Sequence, residues 1–256
     1  MLDTDTRFLS EGQLARYRED GYLLVKGLLG RDEAAGYRAE LHAMGQRLAS
    51  TGAADPTWGS ARGVTDVPTV LQGWHDVQFY SGAFSRLITD DRLTGVAAAL
   101  MGTPNVQLHH TKVFIKPPEN GSPFPMHQDY PFFPHSDHSV LAAIVHLDDA
   151  PDEKGCVRVV PGSHRLGPLE HLQEGLSHLP RDRFRIESAV PVEAEAGDVL
   201  FFGYLTVHGS GVNVSSEART TLLVQMRDPQ DKPTEDLHPS RGQGMMLRGI
   251  DPDARV

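Results

Sequence analysis

The chain has 256 residues, enough to bury a full core, and no linker-like stretch divides it, so one domain over 1–256 is expected. Its net charge of -10, from 24 Lys+Arg against 34 Asp+Glu, disfavours a broad basic surface for nucleic acid or anionic lipid; an anionic ligand must be met by a few placed cations. The single cysteine, Cys156, rules out an intramolecular disulfide framework and points to a reducing compartment.

The opening MLDTDTRFLSEGQ carries acids and no apolar segment, so neither a secretory signal nor a membrane span is expected, and the cytoplasm is the expected location. Ser10 and Gln13 form a capping-box pattern for a helix that runs to Asp20 and ends at Gly21. GYLLVKGLL, apolar and bracketed by glycines, reads as a strand entering a buried sheet. From Arg31 to about Leu48, Tyr37, Leu41, Met44 and Leu48 recur at helical spacing and predict a stripe that covers one side of that sheet. Residues 52–70 read as a long loop, and Asp91 to Met101 as a helix closed by Gly102. Beyond residue 104 the pattern changes to short β-type runs at 105–116, 139–147, 156–160, 189–194, 198–203 and 219–226. Helices first and strands afterwards predict an α+β chain, mainly β, with N-terminal helices over about 1–104. An antiparallel sandwich or jelly-roll core should fill about 105–228.

With 13 histidines in the chain, a metal site must be argued from spacing. In Met126-His127-Gln128-Asp129, residues two apart on a strand project to one face, so His127 and Asp129 can offer an imidazole and a carboxylate to one ion. His208 follows the apolar run VLFF within HGSGVN, whose small residues admit a close ligand, and it is the best third member of a facial triad with three open positions. Arg219 opens the alternating strand RTTLLVQM and shares a face with Leu223, so it needs an anionic partner, for which a bidentate carboxylate is the best match. With the Ser210 hydroxyl it would hold the distal carboxylate of 2-oxoglutarate, whose keto-acid end chelates Fe(II) and leaves a position for O2.

HHTKVFIKPP, MHQDYPFFPHSD, GCVRVVPGSH, AGDVLFFGYLTVHGSGVN and Arg219 together resemble the phytanoyl-CoA dioxygenase family of 2-oxoglutarate oxygenases, with coverage from roughly 105 to 228. The resemblance implies a cupin-like double-stranded β-helix, iron on His127, Asp129 and His208, and 2-oxoglutarate on Ser210 and Arg219. It also places Lys112 at a cosubstrate-contacting position; by strand parity Lys112 would share a face with Leu108, His110 and Phe114. The position near Ile144, often tryptophan in the phytanoyl-CoA enzymes, is aliphatic here, which argues against an acyl-CoA substrate. Halogenases of this fold usually replace the carboxylate with a small residue, so Asp129 favours hydroxylation; desaturation, epoxidation and cyclisation use the same triad.

Gln107, His109, Tyr130 and Phe133 are the candidate substrate contacts, suited to a small or medium-sized metabolite, with Phe132 adding to an apolar wall. Residues 52–80 and 165–188 are candidate lids, and the turn Pro161-Gly162-Ser163-His164 is read as structural, as is a buried Cys156. Two other classes compete with the oxygenase. A non-catalytic metal- or ligand-binding jelly roll would be expected to lose part of the triad or Arg219, and a redox-neutral metal enzyme leaves Arg219 without a task. Nothing in the sequence indicates an oligomeric state.

Overall fold

The structure, a computed structural model, describes residues 8–51, 68–173, 177–235 and 237–254. Helix α1 (Glu11–Asp20) begins with the expected capping box, in which the Ser10 hydroxyl accepts from Gln13 N and the Gln13 side chain accepts from Ser10 N at 2.9 Å. It stops at Gly21, whose φ of 80° gives the left-handed cap that L-residues resist. Strand β1 (Tyr22–Val25) follows, then α2 (Arg31–Thr51), which buries Leu41, Met44 and Leu48 along the stripe read from the sequence. Helix α3 (Gly82–Ile88) was not anticipated: two turns give too few residues for a period, yet Phe84, Leu87 and Ile88 are all buried. Helix α4 (Asp91–Met101) is capped by Asp90 and ended by Gly102 as expected. Among the described residues no helix is long and apolar enough to cross a membrane.

The strands are β2 (Val106–Lys116), β3 (Phe124–His127), β4 (Leu141–His146), β5 (Val157–Val159), β6 (Val190–Val192), β7 (Val199–Gly203), β8 (His208–Ser210), β9 (Arg219–Arg227) and β10 (Met246–Arg248). They form a six-stranded sheet in the order β1-β7-β4-β9-β2-β10 and a four-stranded sheet in the order β3-β8-β5-β6. The strand pairings are antiparallel. This is the jelly roll that the sequence implied. β8 and β10, of three residues each, are not among the strands predicted from the sequence.

The larger sheet is buried on both faces, which is why β4, β7 and β9 read as nearly unbroken apolar runs. Leu141, Ala143, Val145, Phe201, Leu222 and Val224 point outward and pack with Leu41, Met44, Phe84 and Leu93 of the helices. Ala142, Ile144, Leu200, Phe202 and Leu223 point inward and meet Val157, Val159 and Val192 of the smaller sheet. Leu41 is fully buried, so Leu41→Ala would cost about 2–5 kcal/mol.

Two details correct the sequence reading. Pairing between β2 and β9 shifts register between Leu108 and His110, and this bulge reverses the parity. Leu108 therefore joins the outer core, while His110 and Lys112 stay on the inner face with Phe114; Lys112 does not share a face with Leu108. Of the candidate lid 52–80, residues 52–67 lie outside the described residues. The remainder is docked: Gln72 and Ile115 exchange backbone hydrogen bonds, Val113 N donates to Trp74 O, and Leu71, Trp74 and Val77 are buried. Residues 174–176 of the second candidate lid also lie outside the described residues. Its neighbouring parts are tied to β3, with Leu179 N donating to Met126 O.

Candidate metal centre and cosubstrate pocket

β3 ends at His127 directly opposite His208, the first residue of β8. His127 Nδ1 lies 2.7 Å from Pro125 O and His208 Nδ1 lies 2.9 Å from Thr206 O. A carbonyl only accepts, so each Nδ1 carries the proton and each Nε2 presents its lone pair. Both Nε2 atoms lie 3.7 Å from Asp129 Oδ1, and the three ligand atoms fall within 4.8 Å of one another. Burial pushes the His127 imidazole well below its usual pKa, which favours the neutral form that binds metals.

Asp129 does not stand on the strand, as the alternation argument assumed. It has helical dihedrals (φ -74°, ψ -22°) and opens a 3-10 turn at Tyr130–Phe132. The turn is set by Tyr204 O, which accepts from Asp129 N at 3.0 Å and Tyr130 N at 3.2 Å. Gln225 Nε2 lies 3.4 Å from Asp129 Oδ2, leaving Oδ1 toward the histidines. Between the two ligands Gln128 turns away; its Nε2 donates to Leu205 O at 2.7 Å and Gly167 O at 3.0 Å. Gly209 permits the close approach of β8 to β3, since a Cβ there would lie 2.8 Å from both Met126 Sδ and Phe124 O.

The cavity beside these ligands is lined by Ser210, Arg219, Thr221, Ile144 and Leu223, among others. Lys116 is the cross-strand partner of Arg219, and both side chains are buried. Lys116 Nζ donates to Ser210 Oγ at 2.7 Å and to Gly211 O at 2.5 Å, while Arg219 donates to Gly155 O. Among the described residues the hydrogen-bond partners of the two cations are carbonyls and a hydroxyl and not carboxylates, and Arg219 Nε and Thr221 Oγ1 are buried without any hydrogen bond. Burial lowers Arg219 to about 10, and burial with the neighbouring Arg219 charge lowers Lys116 well below the usual lysine range. Two buried cations without an acid are costly unless an anion joins them, so the pocket fits the distal carboxylate of 2-oxoglutarate.

The other expected residues divide. Lys112 lines a second cavity, which shares His127 and Asp129 with the first, together with His110, Phe132, Phe133 and His238, and not the one that holds Ser210 and Arg219. His109 occupies the bulge, with its ring 4.7 Å from that of Phe133, and Tyr130 packs on Tyr204; neither lines either cavity. Gln107 is spent at the sheet edge, its Nε2 3.7 Å from Met246 Sδ, because β10 covers it. Alternation along RTTLLVQM puts Gln225 on the face of Arg219 and Leu223, though the sequence does not show its contact with Asp129; Lys116, which alternation puts on the face of Lys112 and Phe114, was not singled out, and only the pairing of β2 with β9 sets it beside Arg219. The Gly162 turn and His164 are structural, His164 Nε2 lying 3.2 Å from Arg18 O. Cys156 is buried, with its thiol pushed up to about 11 by burial, which suits an inert side chain.

A jelly roll with a His-x-Asp and distant-His cluster, set beside a buried cation pair, defines the class of non-haem iron oxygenases that use 2-oxoglutarate. A family profile described as Phytanoyl-CoA dioxygenase (PhyH) matches residues 17–221. The chain belongs to that family. It is 28% identical over 236 residues to an ectoine dioxygenase of Stutzerimonas stutzeri (strain A1501), covering 81% of this chain and 73% of the relative. Among solved structures it is similar to the epimerase SnoN in complex with Fe3+, alpha-ketoglutarate (2-oxoglutarate) and nogalamycin RO. The TM-score there is 0.71 at 30% identity, over 93% of this chain and 98% of the other. It is also similar to the alpha-ketoglutarate-dependent carbocyclase SnoK from nogalamycin biosynthesis, with a TM-score of 0.73 at 26% identity over 93% of each chain.

Proposed function

We propose that the chain hydroxylates a small or medium-sized metabolite, with His127, Asp129 and His208 holding Fe(II) and Lys116, Ser210 and Arg219 holding the distal carboxylate of 2-oxoglutarate. The observation that carries this reading is the convergence of three ligand atoms within 4.8 Å next to two buried cations that lack an acid. Bound iron and 2-oxoglutarate, with dioxygen, supply the oxidising power to break a C–H bond, releasing succinate and CO2.

The chain's own contribution is placement. Backbone carbonyls at Pro125 and Thr206 fix the tautomer and direction of the two imidazoles, and Gln225 orients the carboxylate. Three protein ligands leave positions open for the cosubstrate and dioxygen. Phe114, Phe124, Ile144, Phe202 and Leu223 wall the pocket with apolar surface that excludes water and strengthens the attraction between cation pair and carboxylate.

Anaerobic titration with Fe(II) and 2-oxoglutarate tests the assignment through the weak visible charge-transfer band of the chelate, with Arg219→Ala alongside. Formation of the band and its weakening in the variant support the site; iron binding without the band refutes it. Oxygen uptake matched by succinate release then separates turnover from a binding protein. A second outcome, hydrogen removal without oxygen insertion, is favoured by likeness to an epimerase and a carbocyclase. It would give succinate with no label from 18O2 in the product.

A further inference from the structure

We propose that the cavity outside the triad is built for a substrate bearing a carboxylate or comparable organic anion, held by His110, Lys112 and His238. Its apolar body would lie against Phe114, Phe132 and Phe133. This deepens the reading above and rests on it.

The cavity measures about 230 Å³ and adjoins the metal ligands, with His127 and Asp129 in its wall. Its remaining polar lining is one-sided: His110, Lys112 and His238 supply nitrogen, and Ser177 a hydroxyl. Among the described residues Asp129 is the one acid in the wall, and it belongs to the metal set. The bulge at His109 leaves His110 on the face that Lys112 and Phe114 occupy and sends Leu108 to the opposite one. The His110 and His238 rings are 5.0 Å apart, and the His75 ring is 5.5 Å from that of His238. Packed rings at this spacing disfavour protonation of any one of them, as does burial, which lowers His110 well below its usual pKa.

His238 also has a φ of 57°, a left-handed conformation uncommon for residues other than glycine, although histidine, asparagine and aspartate adopt it more often than the rest. The segment is pinned by Ser240 Oγ, which donates to Asp76 Oδ1 at 2.7 Å. Strain of this kind persists where the surroundings enforce it, and it gathers at ligand sites. Lys112 has its ammonium 5.1 Å from the centroid of Phe114, and burial draws it down to about 7. An entering carboxylate would gain charge-assisted hydrogen bonds from this lining, whereas a cationic head group would meet repulsion.

Benzoate and benzamide serve as matched probes, equal in shape and different in charge. Their binding is measured by anaerobic calorimetry on protein loaded with Fe(II) and saturating 2-oxoglutarate, with the chelate band monitored throughout. Benzoate should bind about tenfold or more tightly than benzamide, the size of one charge-assisted hydrogen bond. That preference should shrink to roughly threefold or less in Lys112→Met and in His238→Leu, each checked for an unchanged melting curve so that one folded variant suffices. Equal affinities, no benzoate binding, displacement of benzoate by added 2-oxoglutarate, or a preference that survives in the folded variants would overturn the proposal. If the chelate band itself fails to form, the function proposed above falls as well; if it forms and benzoate is not preferred, only the substrate inference falls.

Discussion

Replacing Lys116 by methionine separates cosubstrate binding from folding. The side chain is fully buried, and its ammonium bonds Ser210 Oγ at 2.7 Å and Gly211 O at 2.5 Å beside Arg219. A charge-assisted hydrogen bond to a carboxylate contributes about 1.5–3 kcal/mol, so its loss should weaken 2-oxoglutarate binding by roughly 10- to 100-fold. The cost to folding has opposing parts. Methionine fills nearly the same volume and removes a buried cation with no acid partner, which is worth a few kcal/mol in the variant's favour. Against this, Gly211 O loses its donor at about 1–3 kcal/mol, while Gly155 O keeps the Arg219 guanidinium. Stability should therefore hold or rise while affinity falls. A pH signature accompanies it. The folded protein releases the Lys116 proton below the unfolded value of 10.5, so between those values the unfolded chain binds more protons and stability rises with pH. The variant should lose that part of the slope. Calorimetry of 2-oxoglutarate on the anaerobic Fe(II) protein and urea melts across neutral to alkaline pH provide the readings. A cosubstrate affinity within about threefold of wild type, with iron still bound, would refute the reasoning.

Gln225→Leu should lower Fe(II) affinity by roughly 10- to 100-fold in a metal titration, because Asp129 loses the donor on Oδ2 that sets its orientation. Gly209→Ala should destabilise the fold by about 1–3 kcal/mol and reduce bound iron, since its Cβ would strike Met126 and part β8 from β3 beside His208. Burial holds His109 at about 3 and His146 at about 4. Above the unfolded value of 6.5 both states are neutral and stability is complete; as pH falls toward 4 the unfolded chain takes up these protons first and stability is lost. Urea melts between pH 7 and 5 should show this slope, and His146→Leu should flatten it by up to about 1.4 kcal/mol per pH unit. An unchanged slope in that variant would contradict the burial of a neutral imidazole.

Local rules made much of the molecule legible before any coordinates. The Ser10 capping box, the Gly21 and Gly102 stops, and the Leu41-Met44-Leu48 stripe rest on contacts within a turn or two, and all recur in the structure. The triad was readable for a related reason: metal chemistry restricts its ligands to a few residue types, and His127, Asp129 and His208 stand in flanking sequence that narrows the choice. What tertiary structure alone decided depends on register between distant strands. A one-residue bulge at His109 moved Lys112 away from its expected neighbour Leu108, and pairing of β2 with β9 set Lys116 beside Arg219. Asp129 reaches the metal position through a turn held by Tyr204, a residue far from it in the chain. Alternation along one strand says which residues share a face; only the partner strand says what that face meets.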